Sequence, residues 1–545
     1  MTPPAPRTFN LADLFEVVAD AAPDRLALVA GSERRTYREL DERANRLAHH
    51  LQAKGIEPGD WVGIYSWNRV EWVEAMIACY KARAVPINVN YRYVEAELAY
   101  LFDNADLRGV IFEREFAPLV AKIAPDLPRL EVFVVLEDGT EPDSSTEGAL
   151  AGLDAVPFEA VSYEDALVGA DAARDFPPRS SDDLYVLYTG GTTGMPKGVK
   201  WRGEDIYLAA MSGARGNTPL DAPEDLAQYA NQPAVVAFAL APMMHGGAQW
   251  SLWSLLSTAG TVVLWSGRSF DADAILRLVA TEGVLSIALI GDAMARPLIE
   301  AYAAAPDEYD LTGLALIGSG GAMLSQGVRA QIEQHLPNVR IADSFGASET
   351  GFNGTSDGIA ARFAVGPATT VLDDDLRPVV PGSGVVGLLA RRGNIPLGYH
   401  KDEEKTKTTF LVDPDGERWV VPGDLATVEA DGTITVFGRG SQVVNTGGEK
   451  VFPEEVEGAL KAHAEVFDAI VVGVPDERFG EHVAALIVWR EGSEPDLDAL
   501  RAHTRSLVAG YKVPKEIHVL DAVQRTPAGK PDYRWAKTRA VELSA

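Results

Sequence analysis

Leu184-Tyr185-Val186-Leu187-Tyr188 runs straight into Thr189-Gly190-Gly191-Thr192-Thr193-Gly194-Met195-Pro196-Lys197-Gly198-Val199. An apolar run of strand length stops at glycines, threonine hydroxyls and one lysine, the composition that wraps backbone N–H groups round phosphate oxygens. This is not a Walker A loop, because Pro196 stands where that motif needs the glycine before its lysine and Gly198 where it needs the magnesium-binding Ser or Thr. A turn of purely structural role can be built from a few residues of this kind. Three glycines, three threonines and a Pro-Lys-Gly close together favour a triphosphate cradle instead.

Tyr188 to Gly198 resembles the signature of the acyl-adenylate-forming superfamily, which includes acyl-CoA synthetases, luciferases and peptide-synthetase adenylation domains. The usual serine after the first threonine is replaced by Gly190. Thr189, Thr192 and Thr193 remain as phosphate-facing hydroxyls, beside Gly194 and Lys197.

At 545 residues the chain is too long for one ordinary core, so two or more domains are expected. Lys plus Arg number 49 against 79 Asp plus Glu, and a net charge of −30 argues against nucleic acid or an anionic membrane as partner. The single cysteine, Cys79, excludes an intrachain disulfide, and its neighbours read as the apolar face of a helix. No run approaches a membrane span and Met1 to Arg7 has no hydrophobic signal core, so the expected location is cytoplasmic. Oligomeric state is not specified, and a homo-oligomer stays open.

From Leu11 to Val110 helical spacing alternates with short strand-like runs, among them Leu26 to Val29 and Trp61 to Tyr65, which predicts an α/β sheet with helices on both faces. Asp138 to Asp183 reads as surface connection, and Gly213 to Pro233 as a loop or short-helix insertion. The fold class is α/β: a large N-terminal domain of layered subdomains (1–438), a hinge at 439–441 and a small mobile α+β C-terminal domain (442–545).

Further motifs follow in order. Val235 to Leu240 reads as a buried strand ending at Pro242-Met243-Met244-His245-Gly246-Gly247-Ala248-Gln249-Trp250, where small residues leave room for a ligand. A satisfied core histidine is the plainer reading of His245. The resemblance instead implies that His245, Gly246, Gly247 and Trp250 line the acyl pocket beside the reacting carboxylate. Leu314 to Ile317 leads into Gly318-Ser319-Gly320-Gly321-Ala322, where glycines at a strand end admit a flat ring. The family places adenine there.

Asp343-Ser344-Phe345-Gly346-Ala347-Ser348-Glu349 is similar to the family's Tyr-Gly-x-Thr-Glu motif. The resemblance implies nucleotide contacts from Asp343, Ser344, Phe345, Gly346 and Ser348, with Phe345 and Gly346 also facing the acid. It makes Glu349 the Mg²⁺ ligand, a hard carboxylate of the kind that ion prefers. Pro422-Gly423-Asp424 matches the family's Thr-Gly-Asp segment and makes Asp424 the acceptor for the ribose hydroxyls. Gly438-Arg439-Gly440-Ser441 is the expected hinge. The resemblance implies that Arg439, Gly447, Gly448 and Lys450 reach the nucleotide and that the Gly447-Gly448 backbone lies along pantetheine, and Arg525-Thr526-Pro527-Ala528-Gly529-Lys530 resembles the catalytic-lysine loop.

The resemblance spans nearly the whole chain in six ordered motifs and implies ATP, Mg²⁺ and coenzyme A. It points to an acyl-CoA synthetase acting on a medium or long hydrophobic acid, fatty or steroid-side-chain, with Lys530, Thr189, Lys197 and His245 in the catalytic set. Two alternatives stay open: an acyl-AMP ligase that loads a carrier protein, and a nucleotide-binding protein without catalysis.

Overall fold

The computed structural model describes residues 7–140, 159–189, 195–216, 220–322, 324–356, 361–439, 442–446, 449–476, 480–490, 492, 494–525 and 531–544, with backbone alone at 439, 445, 449, 450 and 480. Trp61–Tyr65 sits in a parallel sheet between Val85–Asn88 and Gly109–Glu113, which continues through Val132–Leu136 to Ala160–Ser162. Every residue of its three central strands is buried, as continuous apolar runs in a covered parallel sheet require.

Leu26–Ala30 does not join that sheet, as simple alternation along the chain would suggest. It pairs in parallel with Thr261–Leu264, at one end of a fifteen-stranded sheet. That sheet passes through Val236–Ala239, Ser286–Leu289, Leu316–Gly320 and Arg340–Ala347, then turns antiparallel through Gly351–Ser356, Arg362–Val365, Ile434–Arg439 and Asp424–Val428. The segment expected as plain surface connection contains the strand Ala160–Ser162 and the helix Tyr163–Leu167, whose buried Tyr163 hydroxyl donates to Glu74 (2.9 Å). The insertion expected near 213–233 contains 3-10 turns at Gly213–Arg215 and Pro223–Asn231.

Beyond Ile434–Arg439 the chain builds a second body. Val466–Asp476 and Gly480–Trp489 form a long antiparallel pair, flanked by Val444–Thr446 and, in parallel, Glu516–Leu520. Helices Pro453–Lys461 and Leu497–Leu507 close one face over Val451, Val471 and Ile487, and Tyr533–Ser544 closes the other over Ile470 and Leu486. The α/β fold class is borne out, with a large N-terminal and a small C-terminal body. The two bodies meet through mixed contacts: Arg296 lies over the Phe467 ring, Arg490 pairs with Glu300 (3.3 Å), and the Phe437 and Phe452 rings stack at 4.7 Å. No helix among the described residues is long and apolar enough to cross a membrane.

Candidate active site

Leu184–Thr189 and Lys197–Arg202 form an antiparallel hairpin whose last pair is Thr189 with Lys197. Tyr188 faces Gly198, and its ring lies where any larger side chain would stand, so glycine is required there. Thr192, Thr193 and Gly194 lie outside the described residues. Asn88 fixes the end of the first strand: its Oδ1 accepts from the Tyr188 N–H (2.8 Å), and its Nδ2 donates to the carbonyls of Tyr188 (2.8 Å) and Met244 (2.6 Å). One buried amide thus joins the phosphate strand to the turn that carries His245.

His245 is half-buried and precedes the helix Gly246–Leu256. A Cβ on Gly246 would stand 2.5 Å from Leu187 Cδ2, so this helix packs on the phosphate strand only because residue 246 is glycine. Nothing lies within 4 Å of such a position on Gly247, which is exposed, and Trp250 is half-buried against the core.

Gly320 pairs with Ser344, bringing the two stretches expected to hold adenine side by side. The space beside Gly320 and Gly321 is open, and Gly321 has φ +77°, a left-handed conformation suited to glycine. Ser319 fixes the bend by donating to the Ala322 carbonyl (2.7 Å) and accepting from the Gly291 N–H (2.9 Å). Phe345 is half-buried with its ring 5.0 Å from that of Phe363. Gly346 lies against the Gly351 carbonyl with no room for a side chain.

Asp343 departs from its expected part. Its side chain is buried, accepts from Arg329 and from the Leu324 N–H (3.2 Å), and burial raises its pKa despite those partners. Successive strand residues face opposite ways, so Asp343 points with Ile341 into the core and serves as scaffold.

Glu349 is half-buried and accepts the Tyr399 hydroxyl on Oε1 (2.8 Å), while Trp201 Nε1 donates to the Ser348 carbonyl (3.0 Å). Lys197 Nζ lies 2.6 Å from Asp402 Oδ2, and that hydrogen bond holds the Asp402 carboxyl below the usual range. Gly398–Tyr399 pairs with Lys200 and Val199 as a third strand of the phosphate sheet. Sequence reasoning passed over Tyr399 and Asp402, because each gains its meaning from a residue far away in the chain. His400 is held toward the neutral form mainly by burial, with Nε2 2.9 Å from the Asn104 carbonyl oxygen.

Asp424 pairs across the ladder with Arg439, of which only the backbone is described. The Glu454 carboxylate rests on Gly438, whose φ of +95° and lack of a side chain make the contact fit. Glu454 meets solvent on one side, yet the protein mass around the cleft desolvates its carboxyl, and like charge from Glu457 and Asp424 helps push it up to about 8. Gly447, Gly448 and Lys530 lie outside the described residues, and Lys450 is described only as backbone, paired with Asn445. Arg525 and Pro531, the described residues that bracket 526–530, face each other in an antiparallel bridge. Arg525 pairs with Asp468 (2.6 Å).

The hairpin from Leu184 to Arg202, an open glycine corner on a parallel sheet and a small second body give the two-lobed layout of a nucleotide-dependent enzyme. Residues 15–400 match the AMP-binding enzyme family and residues 455–530 its C-terminal domain. The chain belongs to that family. It is 48% identical to a 3-oxocholest-4-en-26-oate–CoA ligase of Rhodococcus rhodochrous, covering 97% of this chain and 95% of that one. It is 47% identical to a medium/long-chain-fatty-acid–CoA/3-oxocholest-4-en-26-oate–CoA ligase of Mycolicibacterium smegmatis, covering 98% and 97%. Among solved structures, ATP-bound MatB from Rhodopseudomonas palustris shares the fold with a TM-score of 0.82 at 24% identity, covering 99% of this chain and all of the other.

Proposed function

We propose that this enzyme activates a hydrophobic carboxylic acid, a medium- or long-chain fatty acid or a steroid side-chain acid, with ATP and transfers the acyl group to coenzyme A. The near-full-length identity of 47–48% to ligases named for those acids carries the reading. The open space beside Gly247, at the start of the helix that packs on the phosphate strand, supports an acid seated next to the nucleotide.

In the first half-reaction a carboxylate oxygen attacks the α-phosphorus of ATP and pyrophosphate leaves, giving acyl-AMP. Two like unit charges about 4 Å apart repel by about 4 kcal/mol at an effective dielectric of about 20, so cations must offset the approach. Lys530 is assigned to the gap between carboxylate and α-phosphate. The Thr189 to Lys197 loop, with Thr192, Thr193 and Gly194, holds the outer phosphates. Gly320, Gly321, Ala322 and the Phe345 ring hold adenine, and Asp424 accepts from the ribose.

Glu349 suits a divalent cation: among the described residues only its Oε1 is engaged, and its Tyr399 partner is neutral. Mg²⁺ bound there would neutralise charge on the departing pyrophosphate. In the second half-reaction the thiol attacks the acyl carbon and AMP leaves. A thiol of pKa near 8.5 is a few per cent thiolate at neutral pH, so no strong base is needed. Access is needed, and a C-terminal body that turns on 439–441 would supply it by exchanging Lys530 for Gly447 and Gly448. ATP and coenzyme A as substrates suit a cytoplasmic enzyme.

The test is a panel of acids from acetate to sterol acids, incubated with ATP, Mg²⁺ and coenzyme A and read by mass spectrometry. CoA thioesters of the apolar members are expected. Pyrophosphate release with no use of coenzyme A would favour a carrier-protein acceptor, and no acid-dependent release would end the catalytic reading.

A further inference from the structure

The short stretch from Gly398 to Asp402 touches both groups assigned to the phosphate end of the nucleotide, although neither the phosphate loop nor the Glu349 turn is near it in sequence. Its backbone is fastened to the hairpin: Gly398 and Tyr399 pair with Lys200 and Val199, and the N–H groups of Leu397 and His400 donate to the carbonyls of Lys200 and Gly198 (both 2.8 Å). Thr406 locks it from the other side, accepting from the Tyr399 N–H (3.0 Å) and donating to the Asp402 carbonyl (2.7 Å). Asp402 also caps the helix Glu403–Thr409 by accepting from the Lys405 N–H (2.9 Å). Two side chains leave this fixed backbone. The Tyr399 hydroxyl reaches Glu349 (2.8 Å), and the Asp402 carboxylate reaches Lys197 (2.6 Å).

We propose that Tyr399 and Asp402 form a positioning clamp, holding Glu349 and Lys197 in one fixed relation so that a metal ion and the outer phosphates are gripped together. The proposal rests on the roles given above to Glu349 and Lys197. Lysine has four rotatable side-chain bonds and Glu349 sits on a turn, so each would otherwise be ordered at the moment of binding, at a cost in affinity. Trp201 braces the same turn at the Ser348 carbonyl, so Tyr399 has only the carboxylate left to orient.

The test uses the full-length enzyme with Tyr399→Phe, which removes one hydroxyl, and Asp402→Asn, which keeps an oxygen for the helix cap. Tyr399→Phe is expected to raise the Mg²⁺ concentration for half-maximal acid-dependent pyrophosphate release about five- to tenfold. Asp402→Asn is expected to raise the KM for ATP about tenfold, both being the loss of one hydrogen bond to a charged group. KM for the acid and the rate of thioester formation from supplied acyl-AMP, which uses neither ATP nor metal, stay at parent values. Slowing of both half-reactions alike would reveal a merely structural role and overturn the proposal. Lys197→Ala and Glu349→Gln run alongside. If they shift the ATP and Mg²⁺ dependences while Tyr399→Phe and Asp402→Asn do not, the clamp is wrong. If none of the four shifts either dependence, the assignment of Lys197 and Glu349 falls with it.

Discussion

Lys530→Ala lowers acyl-adenylate formation by at least about 10²- to 10³-fold, the usual cost of removing one well-placed donor from a site where charge develops. The attacking carboxylate and the α-phosphate are both anionic, and a single ammonium between them relieves repulsion that rises as they close. Arg525 and Pro531, on either side of the segment that carries Lys530, face each other in a bridge, and Arg525 is tied to Asp468. Glu454, on the same helix as Glu457, rests on Gly438, which pairs with Leu425 next to Asp424, so helix Pro453–Lys461 lies close to the proposed ribose acceptor. The measurement is acid-dependent pyrophosphate release, set beside thioester formation from supplied acyl-AMP. The first collapses and the second stays close to normal. Pyrophosphate release within about threefold of the parent enzyme, well short of the expected loss, would remove Lys530 from its role.

Lys81→Met costs about 3 kcal/mol or more of stability at neutral pH, as breaking a buried ion pair commonly does. Lys81 is 0% exposed and lies 2.6 Å from Glu16 and 2.8 Å from Asp41. Arg179 pairs with Glu16 and Arg174 with Asp41, both at 2.8 Å. Next along the chain, Asp183 pairs with Arg83 (2.7 Å) and leads directly into the phosphate strand. The network therefore fastens the segment before the hairpin to helices Leu11–Ala21, Tyr37–Ala53 and Val70–Lys81. Burial would raise the pKa of Glu16, but Lys81 and Arg179 overcome it and hold the group down to about 2, against an ordinary 4.5. A carboxyl lowered in the folded state adds stability above its ordinary pKa and loses it as pH falls toward the folded value. The difference in melting temperature between parent and variant is thus several degrees at neutral pH and shrinks on approach to pH 2, as this linkage requires. An unchanged melting temperature at neutral pH would show that the arginines carry the network alone.

The strands and their local order were legible because apolar runs and glycine or proline stops are local signals: Trp61–Tyr65 and Leu184–Thr189 fall where the pattern puts them. Sheet membership was not legible for Leu26–Ala30, whose partner Thr261–Leu264 lies far along the chain and whose burial would be similar in either sheet. Asp343 was misread through its company in a motif, although two-residue periodicity with Ile341 already placed it on the buried face. Tyr399 and Asp402 carry no local signature, since a tyrosine after glycine and an aspartate before a helix are ordinary features until the hairpin folds against them. The reach of Asn88 to both Tyr188 and Met244 is likewise a tertiary fact.

The central claim is that the acid's own oxygen attacks the α-phosphorus. A fatty or sterol acid labelled with oxygen-18 in both carboxylate positions, turned over with ATP and coenzyme A, tests it directly. Mass spectrometry should find one labelled oxygen in each AMP and none in pyrophosphate. Label in pyrophosphate or inorganic phosphate, or unlabelled AMP beside newly formed thioester, would contradict the account.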